Sequence, residues 1–96
     1  MANLHLLDNV RNTLTDLPED ERIKVSKHIH LLESGVMEKV VIKTLKGKIK
    51  ELIVQQYRLI FFRKNEMTYV VDIFKKQSQK TPVRIIDRAE KIYNLL

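Results

Sequence analysis

Between Lys46 and Pro82 the chain reads KGKIKELIVQQYRLIFFRKNEMTYVVDIFKKQSQKTP, β-branched and aromatic residues with cations threaded between them. Tyr57 to Arg63 and Met67 to Phe74 have the composition of a pleated, half-buried surface. Lys64, Asn65 and Glu66 form a polar turn between these two runs. Lys48 to Val54 predicts a further strand, with Ile49, Glu51 and Ile53 on one face and Lys48, Lys50, Leu52 and Val54 on the other. Both of its faces mix charge with apolar groups, so the pattern leaves open which is buried. In the next strand Arg58, Ile60 and Phe62 share one face, and Tyr57, Leu59, Phe61 and Arg63 the other. In the last, Tyr69, Val71 and Ile73 oppose Val70, Asp72 and Phe74. These runs predict an antiparallel meander of three to four strands, with one face on a core and a basic face open to solvent.

Upstream, the period changes to that of a helix. Leu7, Val10, Leu14 and Leu17 recur at spacings of three and four, with Asn3 as the expected N-cap. Pro18 disfavours helical geometry at Leu17 and suits the first turn of a second helix. Glu19, Asp20 and Glu21 complement the positive end of that helix. Val25, Ile29 and Leu32 form its buried stripe, with Ile23 alongside, and Gly35 is the expected C′ residue. Residues 36–46 fit either a strand through Val40, Val41 and Ile42 or an extended connection. Beyond the basic loop, Thr81 is expected to cap a third helix and Pro82 to take its first position. Ile85, Ala89, Ile92 and Leu96 give that helix an apolar face, and Arg84, Arg88 and Lys91 a basic one. The expected class is α+β, with two N-terminal helices packed on the small sheet and a third helix at the C-terminus. The chain begins almost directly with helix, so no strand is expected before it.

Charge sharpens this picture. Of the 18 Lys and Arg residues and 12 Asp and Glu residues, the second half of the chain holds most of the cations and few of the acids. Residues 1–45 sum to −1 and residues 46–96 to +7, an asymmetry that points to a polyanionic partner. At 96 residues the chain is expected to form one domain, 1–96, with a single core. Absence of cysteine rules out disulfides and thiolate metal sites and fits a reducing cytosol. No apolar run approaches the ~20 residues that span a bilayer, and no signal peptide is evident. A cytoplasmic protein with no membrane partner is expected.

Most catalytic constellations are missing. There is no glycine-rich phosphate loop, and His28 and His30, two apart on a helix, point about 200° away from one another. No metal and no cofactor are expected. What remains is a set of cations: Lys46, Lys48, Lys50, Arg58, Lys75, Lys76 and Lys80. If neighbouring strands bring them together, they can bind phosphates by charge. Crowded lysines also lose protons more readily, so one can serve as a base. Arginine stays charged and can clamp phosphodiester oxygens. Arg58 can alternatively pair across strands with Asp72 or Glu51, and Tyr57, Phe61 and Phe62 suit a core better than base stacking.

The order of these pieces resembles the RelE/ParE superfamily of bacterial toxins, particularly its HigB-like, phage-derived branch, from about Leu6 to Leu95. FKKQSQKTP, Phe74 to Pro82, is similar to that branch's F-x-K-K-T-Q-K-T-P element through Phe74, Lys76, Gln79, Lys80, Thr81 and Pro82. LKGKIKEL and YRLIFF are similar to its strands through Leu45, Gly47, Glu51, Leu52, Tyr57, Arg58 and Phe62. LPEDERIKVSKHIHLLESG looks like its second helix, and Ala89 sits where the final helix usually has alanine. Ile53, Gln77 and Asp72 depart from the pattern.

The resemblance implies a toxin of a type II toxin–antitoxin system, a ribosome-dependent endoribonuclease that cuts mRNA and inhibits translation. It implies Arg58 at the scissile phosphate, with Lys76, Lys80, Lys48 and Lys50 as candidates for cleavage. Lys46, Lys75, Gln79, Arg63 and Arg84 are the accompanying RNA-binding candidates. The implied partners are the ribosome, mRNA and an antitoxin of the helix-turn-helix type. Two other readings share the same fold: a ParE-like, non-enzymatic inhibitor of DNA gyrase, and a degenerate toxin that only binds nucleic acid.

Overall fold

In a computed structural model, which describes residues 3–96, the chain forms five strands and three α-helices. Their order is β1 (Leu4–Leu6), α1 (Asp8–Asp16), α2 (Glu19–Ser34), a short 3-10 turn (Met37–Lys39), β2 (Val41–Lys46), β3 (Ile49–Val54), β4 (Tyr57–Lys64), β5 (Met67–Lys75) and α3 (Val83–Leu95). The strands make one sheet in the order β1-β5-β4-β3-β2. The meander from β2 to β5 is antiparallel, as expected, but β1 runs parallel to β5, so the sheet is mixed and has five strands. No initial strand was expected. Three residues carry no usable period, and Leu4, His5 and Leu6 become a strand only by pairing with Thr68, Tyr69 and Val70.

Both faces of the sheet are covered. On one, α1 and α2 bury Val10, Leu14, Val25, Ile29 and Leu32 against Leu52, Val54, Tyr57, Leu59, Phe61, Val70 and Ile73. On the other, α3 buries Ile85 and Ala89 against Ile49, Ile60, Phe62 and Val71. The expectation of one core and an open basic face is therefore overturned. The reason lies in β4, whose Tyr57 and Leu59 through Phe62 are all buried, leaving no solvated side in mid-strand.

Three local readings are also corrected. Helix α1 begins at Asp8 with Leu7 at the N-cap, because Asn3 belongs to the approach to β1, where its carbonyl accepts from Thr68 N–H. Pro82 and Pro18 stand at the N-cap positions of α3 and α2, not inside the helices. Thr81 consequently caps nothing. The strict alternation expected for β5 fails as well. Ile60 faces Asp72 while Phe61 faces Val70, which makes Val71 an extra, bulged residue. Val71 and Asp72 therefore both lie on the α3 side, and Ile73 turns to the α1/α2 core. The bulge carbonyl of Val71 accepts from Asn9 Nδ2 at 3.1 Å and from Arg88 Nη1 at 2.9 Å.

Gly35 closes α2 as expected, at φ 77°, where its own N–H and that of Val36 return to Leu32 and Leu31. The β4–β5 hairpin turns through Asn65 (φ 54°) and Glu66 (φ 66°), both left-handed. Glycine is far better suited than glutamate to the second position of such a turn. Glu66→Gly will stabilise the chain by about 0.5–1 kcal/mol, seen as a thermal midpoint several degrees higher.

Candidate nucleic-acid interface

Two-sided burial of the sheet sends its cations to the strand ends. At one end, β5 runs out at Lys75, and Lys76 N–H extends the ladder by donating to the carbonyl of Gln56 in the β3–β4 turn. The following loop returns to Pro82 and α3. Together they enclose an open hollow of about 600 Å³. Its lining includes Lys75, Lys76, Lys80 and Arg84, with Gln77 and Ser78 between them and Phe74 and Ile85 beneath. None of those four cations makes an ion pair among the described residues. Gln79 is exposed on the same loop but does not line the hollow.

Arg58 stands at the same end of the sheet, paired with Phe74 across the β4–β5 ladder and with Ile53 across β3–β4. It is turned inward, with a side chain only 11% exposed. Its Nη1 donates to the carbonyls of Gln55 (2.7 Å) and Tyr57 (2.9 Å). Its Nε is buried without a hydrogen bond, 3.6 Å from Glu51 Oε1. Of the two cross-strand partners open to it from sequence, Glu51 is the one it meets. Asp72 instead lies 3.7 Å from Arg88. Glu51 Oε1 also accepts the Thr81 hydroxyl at 2.9 Å, and this bond ties the end of the basic loop to the sheet. Sequence reasoning did not single out that tie. Its one visible signal was a carboxylate alternating with Ile49 and Ile53.

The remaining candidates lie elsewhere. Lys48, Lys50 and Arg63 line a separate hollow of about 180 Å³ with Leu32, Phe61 and Thr68, on the α2 side. Arg63 lies five positions beyond Arg58 on β4, about 17 Å along an extended strand. Lys46 salt-bridges Glu90 at 3.0 Å, and that hydrogen bond and charge raise its pKa. It is thereby held as a cation, unsuited to act as a base. The cations, of which several were expected to meet if the strands were neighbours, divide between the two ends of the sheet: Arg58, Lys75, Lys76, Lys80 and Arg84 share one, while Lys46, Lys48, Lys50 and Arg63 occupy the other. The aromatics belong to the cores. Tyr57 is buried with its hydroxyl on Glu21 (3.0 Å), and burial, then Glu21, raises its pKa. Tyr93 packs edge-on to Phe62 at 5.0 Å, with Lys64 Nζ 4.4 Å over its ring.

A helix-covered mixed sheet with a cationic loop at one end defines a RelE-like α+β domain. In line with this, the fold is similar to the toxin–antitoxin crystal structure of RelB-RelE from Methanococcus jannaschii, with a TM-score of 0.64 at 15% identity, over 86% of this chain and 95% of that one. Residues 12–94 match the family described as Phage derived protein Gp49-like (DUF891). The chain belongs to this Gp49-like family. No curated protein sequence matches it. Among the described residues, no helix is long and apolar enough to cross a membrane.

Two outcomes test the geometry. Thr81→Val removes the hydroxyl from a buried carboxylate and will cost about 1–3 kcal/mol in urea unfolding. Desolvation raises the pKa of Asp72 above its ordinary 3.8, against the pull of Ile73 N–H and of Arg88 and Arg84. The folded chain therefore binds this proton more tightly than the unfolded chain. Asp72 contributes stability below pH 3.8, and that contribution is lost as pH rises through its folded pKa. Asp72→Asn will remove this downward step from the stability–pH curve.

Proposed function

We propose that this chain is a toxin of a type II toxin–antitoxin pair that cleaves mRNA on the ribosome, and that the loop end of the sheet is its RNA site. The observation that carries this reading is the hollow rimmed by Lys75, Lys76, Lys80 and Arg84, four cations that make no ion pair among the described residues, at the sheet end that holds Arg58. Unpaired cations around an open hollow suit a phosphodiester backbone, which they neutralise by releasing counterions. In this reading Arg58 stabilises charge on the scissile phosphate, and Lys76 and Lys80 position the strand or move its 2′-hydroxyl proton. Lys48 and Lys50 do not enter that step, because they line the other hollow. The partner that restrains the toxin is an antitoxin, as in the complex from which the structural relative comes, and the site of action is the cytoplasm.

The separation of Lys48 and Lys50 from Arg58 also favours a second reading, RNA binding without scission. Fewer cations beside the phosphate mean less crowding to bring a lysine toward neutrality. Mapping mRNA 5′ ends after induction in cells distinguishes the two. Cleavage predicts new ends within codons, reduced about 10²–10³-fold by Arg58→Ala or by Lys76→Ala with Lys80→Ala. Translation that continues with no new ends overturns the leading reading.

A further inference from the structure

We propose that Glu51 is a positioning residue that withholds one edge of the Arg58 guanidinium from an incoming phosphodiester. The inference rests on the reading of the loop end as an RNA site. A guanidinium offers five N–H donors in a planar fork. In Arg58, Nη1 is taken by the carbonyls of Gln55 and Tyr57, at 2.7 and 2.9 Å. Nη2 makes no hydrogen bond among the described residues. Nε is buried and unbonded, with Glu51 Oε1 3.6 Å away, too far for a hydrogen bond but close enough for its charge to dominate there.

The consequence follows from how arginine holds an oxyanion. The strong grip is two parallel N–H bonds from one edge of the fork. With Nη1 committed to the backbone, the edge that remains is Nε with Nη2. Half of that edge lies against a carboxylate, which repels the phosphate the edge would otherwise hold. Glu51 cannot simply swing aside, because it is 3% exposed and the Thr81 hydroxyl holds the same oxygen at 2.9 Å. As built, Arg58 offers a phosphate one nitrogen rather than two. Glu51 thus sets the strength of the arginine contact, and through Thr81 it couples that contact to the loop bearing Lys76 and Lys80.

The test is fluorescence anisotropy with a labelled single-stranded RNA of about ten nucleotides, titrated at several salt concentrations. Glu51→Gln keeps an oxygen for the Thr81 hydroxyl but removes the charge. It will bind roughly three- to tenfold more tightly than the wild type, with a salt slope steeper by about 0.7 for the cation released. The gain will vanish in an Arg58→Ala background, an epistasis that a merely structural glutamate would not produce. Glu51→Asp withdraws the carboxylate by one methylene and will give a smaller gain of the same sign, which serves if Gln at 51 unfolds the chain. If wild type binds, and Lys76→Ala with Lys80→Ala weakens it, but neither Glu51 variant tightens it, the inference is overturned and the RNA reading stands. If wild type does not bind, the RNA reading falls and takes the inference with it.

Discussion

Burial of β4 on both faces is the constraint from which the rest follows. Tyr57, Leu59 and Phe61 fill one core, and Ile60 and Phe62 fill the other. A strand buried in this way has no solvated side on which to display charge, and a cation in its middle would need a partner. The charges of β4 accordingly sit at its two ends, Arg58 at one and Arg63 with Lys64 at the other. The chain therefore carries two basic regions in place of one basic face. The first is extended by the loop before Pro82, whose Lys76 and Lys80 make no ion pair among the described residues.

Two carboxylates refine the arrangement. Glu51 and Asp72 both lie on the α3 side of the sheet, each within 4 Å of an arginine, at 3.6 and 3.7 Å. Each also accepts a hydrogen bond, Glu51 from the Thr81 hydroxyl and Asp72 from Ile73 N–H. Glu51 offsets Arg58 close to the core, where an unpaired charge would be costly, whereas the Arg88 side chain beside Asp72 is nearly half exposed. The loop lysines, standing in water, need no such offset. Asn9 and Arg88 meet at the Val71 carbonyl, so the bulge that places Asp72 beside α3 is itself held from α1 and α3.

The helices were legible in the sequence because a period of 3.6 is repeated several times in each. Val10, Leu14, Val25, Ile29, Leu32, Ile85 and Ala89 were all placed on buried faces by spacing alone. The hairpin and the period-two alternation of β3 were legible as well, including the placement of Lys50 opposite Glu51. Features made by distant pairing were not. Leu4–Leu6 is too short to show a period, and the β5 bulge inserts one ordinary valine with no local mark. Thr81 followed by Pro82 has the form of a helix cap, and only the folded chain reveals Glu51 as its partner. The loop cations were visible as a motif, but which strand end they would join depended on the topology.

The proposed function requires phosphate to be held at the Lys75–Arg84 end of the sheet and not at the Lys48, Lys50 and Arg63 end. Amide chemical-shift mapping on addition of a short single-stranded RNA tests it most directly. Shifts are expected to concentrate at residues 75–84 and around Arg58, with residues 48–50 and Arg63 unmoved. Shifts centred on Lys48, Lys50 and Arg63, with the loop silent, would contradict it.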